Sequence, residues 1–175
     1  MTEKDWDLYF LRLAKEVSKN SKCLSRQIGS IVVRDKSIIG AGYNGAPRGV
    51  LHCEERTEVF YSQLDGVYSD RMFDKTICPR RNFGYQSGKG LHLCQAGHAE
   101  RNALIQCARE GISTKGATLY CNCPIPCKDC MIEIINSGIS RLVYFSGNDY
   151  DSYSRVLLRE SNMKFQEYSE SDLNN

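Results

Sequence analysis

The sequence predicts an α/β fold, a single domain with a mixed sheet and helices on both of its faces. Three observations predict it. After a first helical segment, short β-branched runs and helical-period segments follow one another in the order β-β-α-β-α-β-α-β, an alternation that covers a sheet on both sides. The chain has 175 residues, the usual size of one domain, and shows neither an internal repeat nor a second domain. Hydrophobic residues make up 41% and charged residues 25%, ordinary for a globular protein and unlike disordered, collagenous or coiled-coil chains.

Each element has its own signal. Trp6, Phe10, Leu13, Ala14 and Val17 recur at helical spacing between charged residues, which predicts an amphipathic helix over about 5–18. Ile28–Val33 and Ile38–Gly42 are β-branched runs around Arg34-Asp35-Lys36-Ser37 and read as a hairpin. Gly40, Gly42, Gly45 and Gly49 then punctuate a loop. Residues 50–97 keep no period and form an irregular insert. A stretch that long is uncommon in a compact domain unless it is functional or tied down. Ala99, Ala103, Leu104, Cys107 and Ala108 predict a helix over 98–110 that Gly111 stops. Thr118–Cys121 is a strand, Lys128–Ser137 a helix ended by Gly138, and Arg141–Phe145 a third core strand. A helix over about 152–162 and a strand at Lys164–Tyr168 complete the order. The tail, 169–175, is polar and expected to fray.

The net charge of +2 does not suggest a nucleic-acid binder. No run of about 18 apolar residues is present, so no membrane partner is expected. The start, Met1–Trp6, carries Glu3, Lys4 and Asp5 and lacks the apolar region of a signal peptide. The expected setting is cytoplasmic. Nine cysteines stand out there. Their number is odd, so complete internal pairing is impossible, and clustered cysteines in a reducing compartment bind metal more often than they bridge.

Three residue groups carry the chemistry: His98-Ala99-Glu100, then Pro126-Cys127, and Cys130. They match the H-x-E…P-C-x-x-C signature of zinc deaminases. Cys127 and Cys130 are three apart, so at a helix start both sulfurs face one side, where the helix N-terminus favours thiolates. His98 begins a second helix and adds a nitrogen. Three protein ligands leave one tetrahedral position open, the catalytic rather than the structural arrangement of zinc. Water in that position ionises with a pKa of about 7. Glu100, two residues past His98, points off the ligand direction and is placed to move protons between water, base and leaving amine. The competing reading is a zinc-stabilised interaction module without catalysis, in which an unliganded acid beside the ligands would have no use.

The chain resembles the cytidine/deoxycytidylate deaminase superfamily, and within it the deoxycytidylate (dCMP) deaminases. The resemblance runs from about Ser21 to Tyr150. It is carried by Gln27-Ile28-Gly29, Gly42-Tyr43-Asn44-Gly45, His98-Ala99-Glu100-Arg101-Asn102-Ala103, Gly116-Ala117-Thr118-Leu119-Tyr120 and Ser137-Gly138-Ile139. It implies a cytidine-deaminase-like three-layer fold on a five-stranded mixed sheet, and the zinc-dependent hydrolysis of dCMP to dUMP and ammonia. Deaminases of tRNA adenosine and of free nucleosides use the same fold, and the net charge does not encourage the tRNA reading.

The resemblance also implies roles. Asn44 binds the deoxyribose hydroxyl, and Ala99, inside the His-x-Glu motif, joins the substrate-binding set. An aromatic after the fourth strand stacks on the pyrimidine, and Tyr150 in Asn148-Asp149-Tyr150 matches it better than Tyr153. A substrate phosphate needs a cation, for which Arg26, just before the first strand, is the candidate. Cys23, Cys53 and Cys94 match a second zinc site of some dCMP deaminases. His92 is its candidate fourth ligand, His52 and Cys78 are rivals, and buried free thiols are the alternative. The family is a hexamer that dCTP activates and dTTP inhibits, with Mg²⁺ on the triphosphate. Gly42, Tyr43, Gly45 and Gly49 fall in its allosteric loop, and Arg109 at its subunit and effector interface. One departure is the stretch Cys121-Asn122-Cys123-Pro124-Ile125-Pro126, a residue longer than the family commonly has, which brings Cys123 close enough to the metal to be mistaken for a ligand.

Overall fold

The computed structural model describes residues 1–56, 74–86, 88–149 and 151–174. Thr2 starts helix α1 (Glu3–Ser18) with a reciprocal cap: the Asp5 amide donates to Thr2 Oγ1 at 3.2 Å, and the Thr2 amide donates to Asp5 Oδ2 at 2.7 Å. Strands β1 (Gly29–Arg34) and β2 (Ser37–Tyr43) form an antiparallel hairpin. Its turn residues Asp35 and Lys36 sit at φ 50° and 59°, the left-handed pair that lets a two-residue turn follow the twist of its strands. Strand β3 (Thr118–Cys121) joins β1 antiparallel, and β4 (Arg141–Phe145) and β5 (Lys164–Tyr168) follow in parallel. The order across the sheet is β2-β1-β3-β4-β5, the five-stranded mixed sheet expected. Helices α2 (Ala99–Arg109), α3 (Lys128–Asn136) and α4 (Tyr153–Glu160) complete the frame.

Alternation along the strands separates two apolar layers. Ile31, Val33, Tyr120, Val143 and Phe145 face α1, where Phe10, Leu11 and Ala14 meet them. Val32, Leu119, Leu142 and Tyr144 face the other way, onto Ala103 and Cys107 of α2, Met131 and Ile134 of α3 and Leu158 of α4. Two glycines of β2 set how close α2 lies. A Cβ at Gly42 would strike the α2 backbone at Ala99 and Ala103, and one at Gly40 would strike the Cys107 thiol. Among the described residues no helix is long and apolar enough to cross a membrane.

The described part of 50–97 holds short 3₁₀ turns at Cys53–Glu55 and Leu91–Leu93 and one helical turn at Pro79–Asn82. The tail departs from expectation. Glu170–Asn174 forms a 3₁₀ turn, Leu173 packs into the α1 layer, Lys4 pairs with Asp172 at 3.2 Å, and Arg12 Nη2 donates to the Leu173 carbonyl at 3.1 Å. One apolar side chain in an otherwise polar segment is enough to dock it, because α1 leaves an apolar edge beside it.

Asp7 ties the α1 face together. It is 1% exposed and sits in a bidentate pair with Arg141 of β4, both N–O distances being 2.7 Å. The Tyr120 and Tyr168 hydroxyls donate to the same carboxylate at 3.0 and 2.9 Å. The carboxylate thereby joins α1, β3, β4 and β5 with its lone pairs filled, the condition under which a buried ion pair holds. Asp7→Ala leaves Arg141 with only the exposed Glu3 carboxylate, 3.1 Å from its Nη2, and is expected to cost about 3–5 kcal/mol of unfolding free energy, whereas Tyr168→Phe removes one charge-assisted bond worth about 1.5–3 kcal/mol. Denaturant midpoints of the two variants check this order; equal, small losses would disprove the network's role.

Candidate active site

The site is built where two helices begin. His98 is the N-cap residue of α2 and Cys127 that of α3, both in extended backbone, and Cys130 lies inside the first turn of α3. His98 Nδ1 is 3.4 Å from Cys127 Sγ and 3.2 Å from Cys130 Sγ. Among the described residues these are the only three metal-ligand donors gathered within 4.8 Å of one another. The spacing fits zinc. Tetrahedral Zn–S and Zn–N bonds of about 2.3 and 2.0 Å put sulfur and nitrogen about 3.5 Å apart. Cys123, although 9% exposed and lining the same cavity, is outside the donor set.

A metal takes deprotonated ligands, and of the three donors Cys127 alone is shifted that way. The hydrogen bond with the Cys130 thiol, and then His98, pull Cys127 down to about 4. The same hydrogen bond and burial push Cys130 up. The bond to Cys127 raises His98. Glu100 in the first turn of α2 is 4% exposed, and burial pushes its carboxyl up.

A cavity of about 120 Å³ opens over this group, with His98, Glu100 and Cys127 at one side and Arg26, Asn44 and Arg80 at others. Ala99, fully buried, also lines it. Asn44 has structural work there. Its Oδ1 accepts from the Ile28 amide and its Nδ2 donates to the Arg26 carbonyl, each at 2.8 Å, which leaves one amide hydrogen and one lone pair for a ligand. Arg26 is exposed on the rim. Tyr150 lies outside the described residues, and Tyr153, 58% exposed, does not line the cavity.

Cys23, Cys53 and Cys94 rim an adjoining gap of about 30 Å³ together with His52 and Cys78, and Cys23 and Cys94 line the larger cavity as well, while His92 is in neither lining and meets the Tyr85 ring edge-on at 5.7 Å. Gly42 belongs to β2, Tyr43 is 42% exposed, and Gly49 has φ 76°. Gly45 exchanges two hydrogen bonds with Gly97, of 3.1 and 2.9 Å, next to His98. Arg109, at the end of α2, pairs with Glu110 at 2.9 Å.

Sequence reasoning passed over two residues. Arg80 carries no periodic signal in the insert. Asp151 was legible as the Asp of an Asp-x-x-Ser cap. Its Oδ2 accepts from the Lys128 amide at 2.7 Å and its Oδ1 from the Ser154 amide at 3.1 Å, so one carboxylate caps α3 and α4 together. Burial works against its charge, yet these amides hold its carboxyl below the usual range.

Comparison with known proteins agrees with this geometry. Residues 4–146 match the family model of the cytidine and deoxycytidylate deaminase zinc-binding region. The deoxycytidylate deaminase of Schizosaccharomyces pombe is 34% identical over 93% of this chain and 44% of its own length. That of Mycobacterium phage D29 is 38% identical over 82% of this chain and 97% of its own length. The chain thus spans less than half the length of the S. pombe protein and of its Saccharomyces cerevisiae counterpart, which it covers to 45%. The crystal structure of cyanophage S-TIM5 dCMP deaminase in complex with dCMP and dUMP shares the fold at a TM-score of 0.68 and 22% identity, over 96% of this chain and 99% of that one.

Asp151→Ala removes the shared cap and is expected to cost about 1–2 kcal/mol of stability with the metal content unchanged. Thermal melts and elemental analysis check it, and a variant as stable as the parent would remove the bridge as a structural element.

Proposed function

Because the chain belongs to the cytidine and deoxycytidylate deaminase family, we propose that it hydrolyses dCMP to dUMP and ammonia. The observation that carries this reading is a buried Glu100, outside the donor set His98, Cys127 and Cys130, that lines one cavity with His98 and Cys127. A structural zinc site closes with four protein donors and leaves no spare acid. A zinc ion held by the three donors supplies a water that ionises near neutral pH. Glu100 takes a proton from the attacking water and gives it to N3 of the cytosine, then takes the second proton from the new C4 hydroxyl and passes it to the departing amine, which leaves as ammonia. Asn44 holds the deoxyribose hydroxyl, Ala99 borders the base, Arg26 meets the phosphate, and Tyr150 stacks on the ring for about 1–3 kcal/mol. Relatives that carry the name deoxycytidylate deaminase support a nucleotide over a nucleoside.

A second zinc on Cys23, Cys53 and Cys94 belongs to the same reading. The lining of their shared gap favours Cys78 or His52 over His92 as the fourth donor. None of the nine cysteines is in a disulfide, in keeping with the reducing, cytoplasmic setting of the same reading. Glu100→Ala is expected to keep both zinc ions and to lose roughly 10²–10⁴-fold in turnover of dCMP, the usual span of acid–base catalysis. Metal analysis with an ammonia-release assay checks both parts. Near-native turnover ends the role of Glu100, and a single zinc on fully active protein ends the second site.

Regulation completes the proposal: dCTP activates and dTTP inhibits, with Mg²⁺ on the triphosphate, in a hexamer, through Gly42, Tyr43, Gly45, Gly49 and Arg109. The effectors differ at C4 and N3 in which atoms donate and which accept, so one pocket can tell them apart. In support, the Gly45–Gly97 hydrogen bonds and the 2.8 Å bond from Asn102 Nδ2 to the Tyr43 carbonyl join that loop to the start of α2. A coupling of about 1–3 kcal/mol is typical. At subsaturating dCMP, dCTP should raise and dTTP lower the rate, and Arg109→Glu should weaken both effects with the zinc retained; rate curves indifferent to either triphosphate with Mg²⁺ would refute it.

A further inference from the structure

We propose that Arg80, in the helical turn Pro79–Asn82, is a specificity-determining residue that binds the phosphate of a nucleoside monophosphate in the active-site cavity. The inference deepens the deaminase reading and rests on it. Two cations line that cavity among the described residues, Arg26 and Arg80, while Glu100 is its one acid. A phosphate dianion entering a small cavity beside a carboxylate needs charge-assisted donors away from that acid. Arg26 is an exposed residue that also borders a broad outer cleft rimmed by Lys15 and Lys19, so water competes for its charge. Arg80 is half-buried and held in place. Its Nη1 donates to the Lys89 carbonyl at 2.9 Å, which fixes the plane of the guanidinium.

The Nε side of that guanidinium has a donor to spare. Arg80 Nε is buried and has no hydrogen-bond partner among the described residues. A buried donor without a partner is costly, and an anion offers that edge the acceptor it lacks. The Nε and Nη2 edge is also the fork that takes two oxygens of one phosphate, which a lysine cannot copy. Pro79 fixes the backbone just before it, and the same helical turn borders the cysteine-rimmed gap. The segment that breaks the helix and strand pattern therefore carries the group that separates a nucleotide from a nucleoside.

The test uses the zinc-loaded full chain and compares binding of dUMP with that of deoxyuridine, by calorimetry and competitive displacement. Arg80→Gln is expected to weaken dUMP by roughly tenfold to a hundredfold, the value of a charge-assisted hydrogen bond, and to leave deoxyuridine within about twofold. Arg80→Lys should recover part of the loss. Equal weakening of both ligands would mean that Arg80 only shapes the loop through Lys89, and unchanged dUMP binding would mean that the phosphate sits elsewhere; either overturns the proposal. Turnover of dCMP by the unsubstituted protein is read separately, so failure of the substrate reading and failure of the Arg80 assignment give different results.

Discussion

Two helices must begin at one point for this site to exist, and the contact that brings them there is the seat of α2 on β2. Side chains at positions 40 and 42 would hold the helix away from the strand; glycines let the backbone of Ala99 and Ala103 rest directly on it. A shift of an ångström at that seat would carry His98 away from sulfurs that stand 3.2 and 3.4 Å from its nitrogen. The cost of glycine in a strand, about 0.5–1 kcal/mol each, is offset by that placement. Arg101 reaches Glu133 at 2.6 Å and ties α2 to α3 from outside, although exposed pairs of this kind contribute little on their own.

The parallel half of the sheet works differently. β3, β4 and β5 need crossover helices to run in parallel, so α3 and α4 start from strand ends on the same side. Asp151 joins those two starts with one carboxylate. On the opposite face, the Asp7 and Arg141 pair clamps the same strands to α1. The gathered donors thus ride on elements fixed from both faces, while most of the remaining cavity wall comes from loops and short turns. Such a division lets the walls vary without moving the reacting group.

Most of this was legible along the chain. Local pattern determined the five strands, the four long helices, the core cysteine at 107 and the donor set at 98, 127 and 130, because each depends on residues within a few positions of one another: alternation in a strand, i to i+3 spacing at a helix start, a cap. Tertiary structure alone decided what depends on residues far apart in sequence. It turned Asn44 into a brace for Arg26 and Ile28, seated Leu173 of the polar tail on α1, kept His92 out of the gap that Cys23, Cys53 and Cys94 share, and brought Arg80 from an aperiodic segment to the lining of the cavity that Glu100 also lines. The physical reason is the range of the interactions. Hydrogen bonds and burial within one element repeat with its period and leave a trace in the sequence, whereas a loop side chain meets its partners through the packing of elements distant in sequence, which no local spacing records.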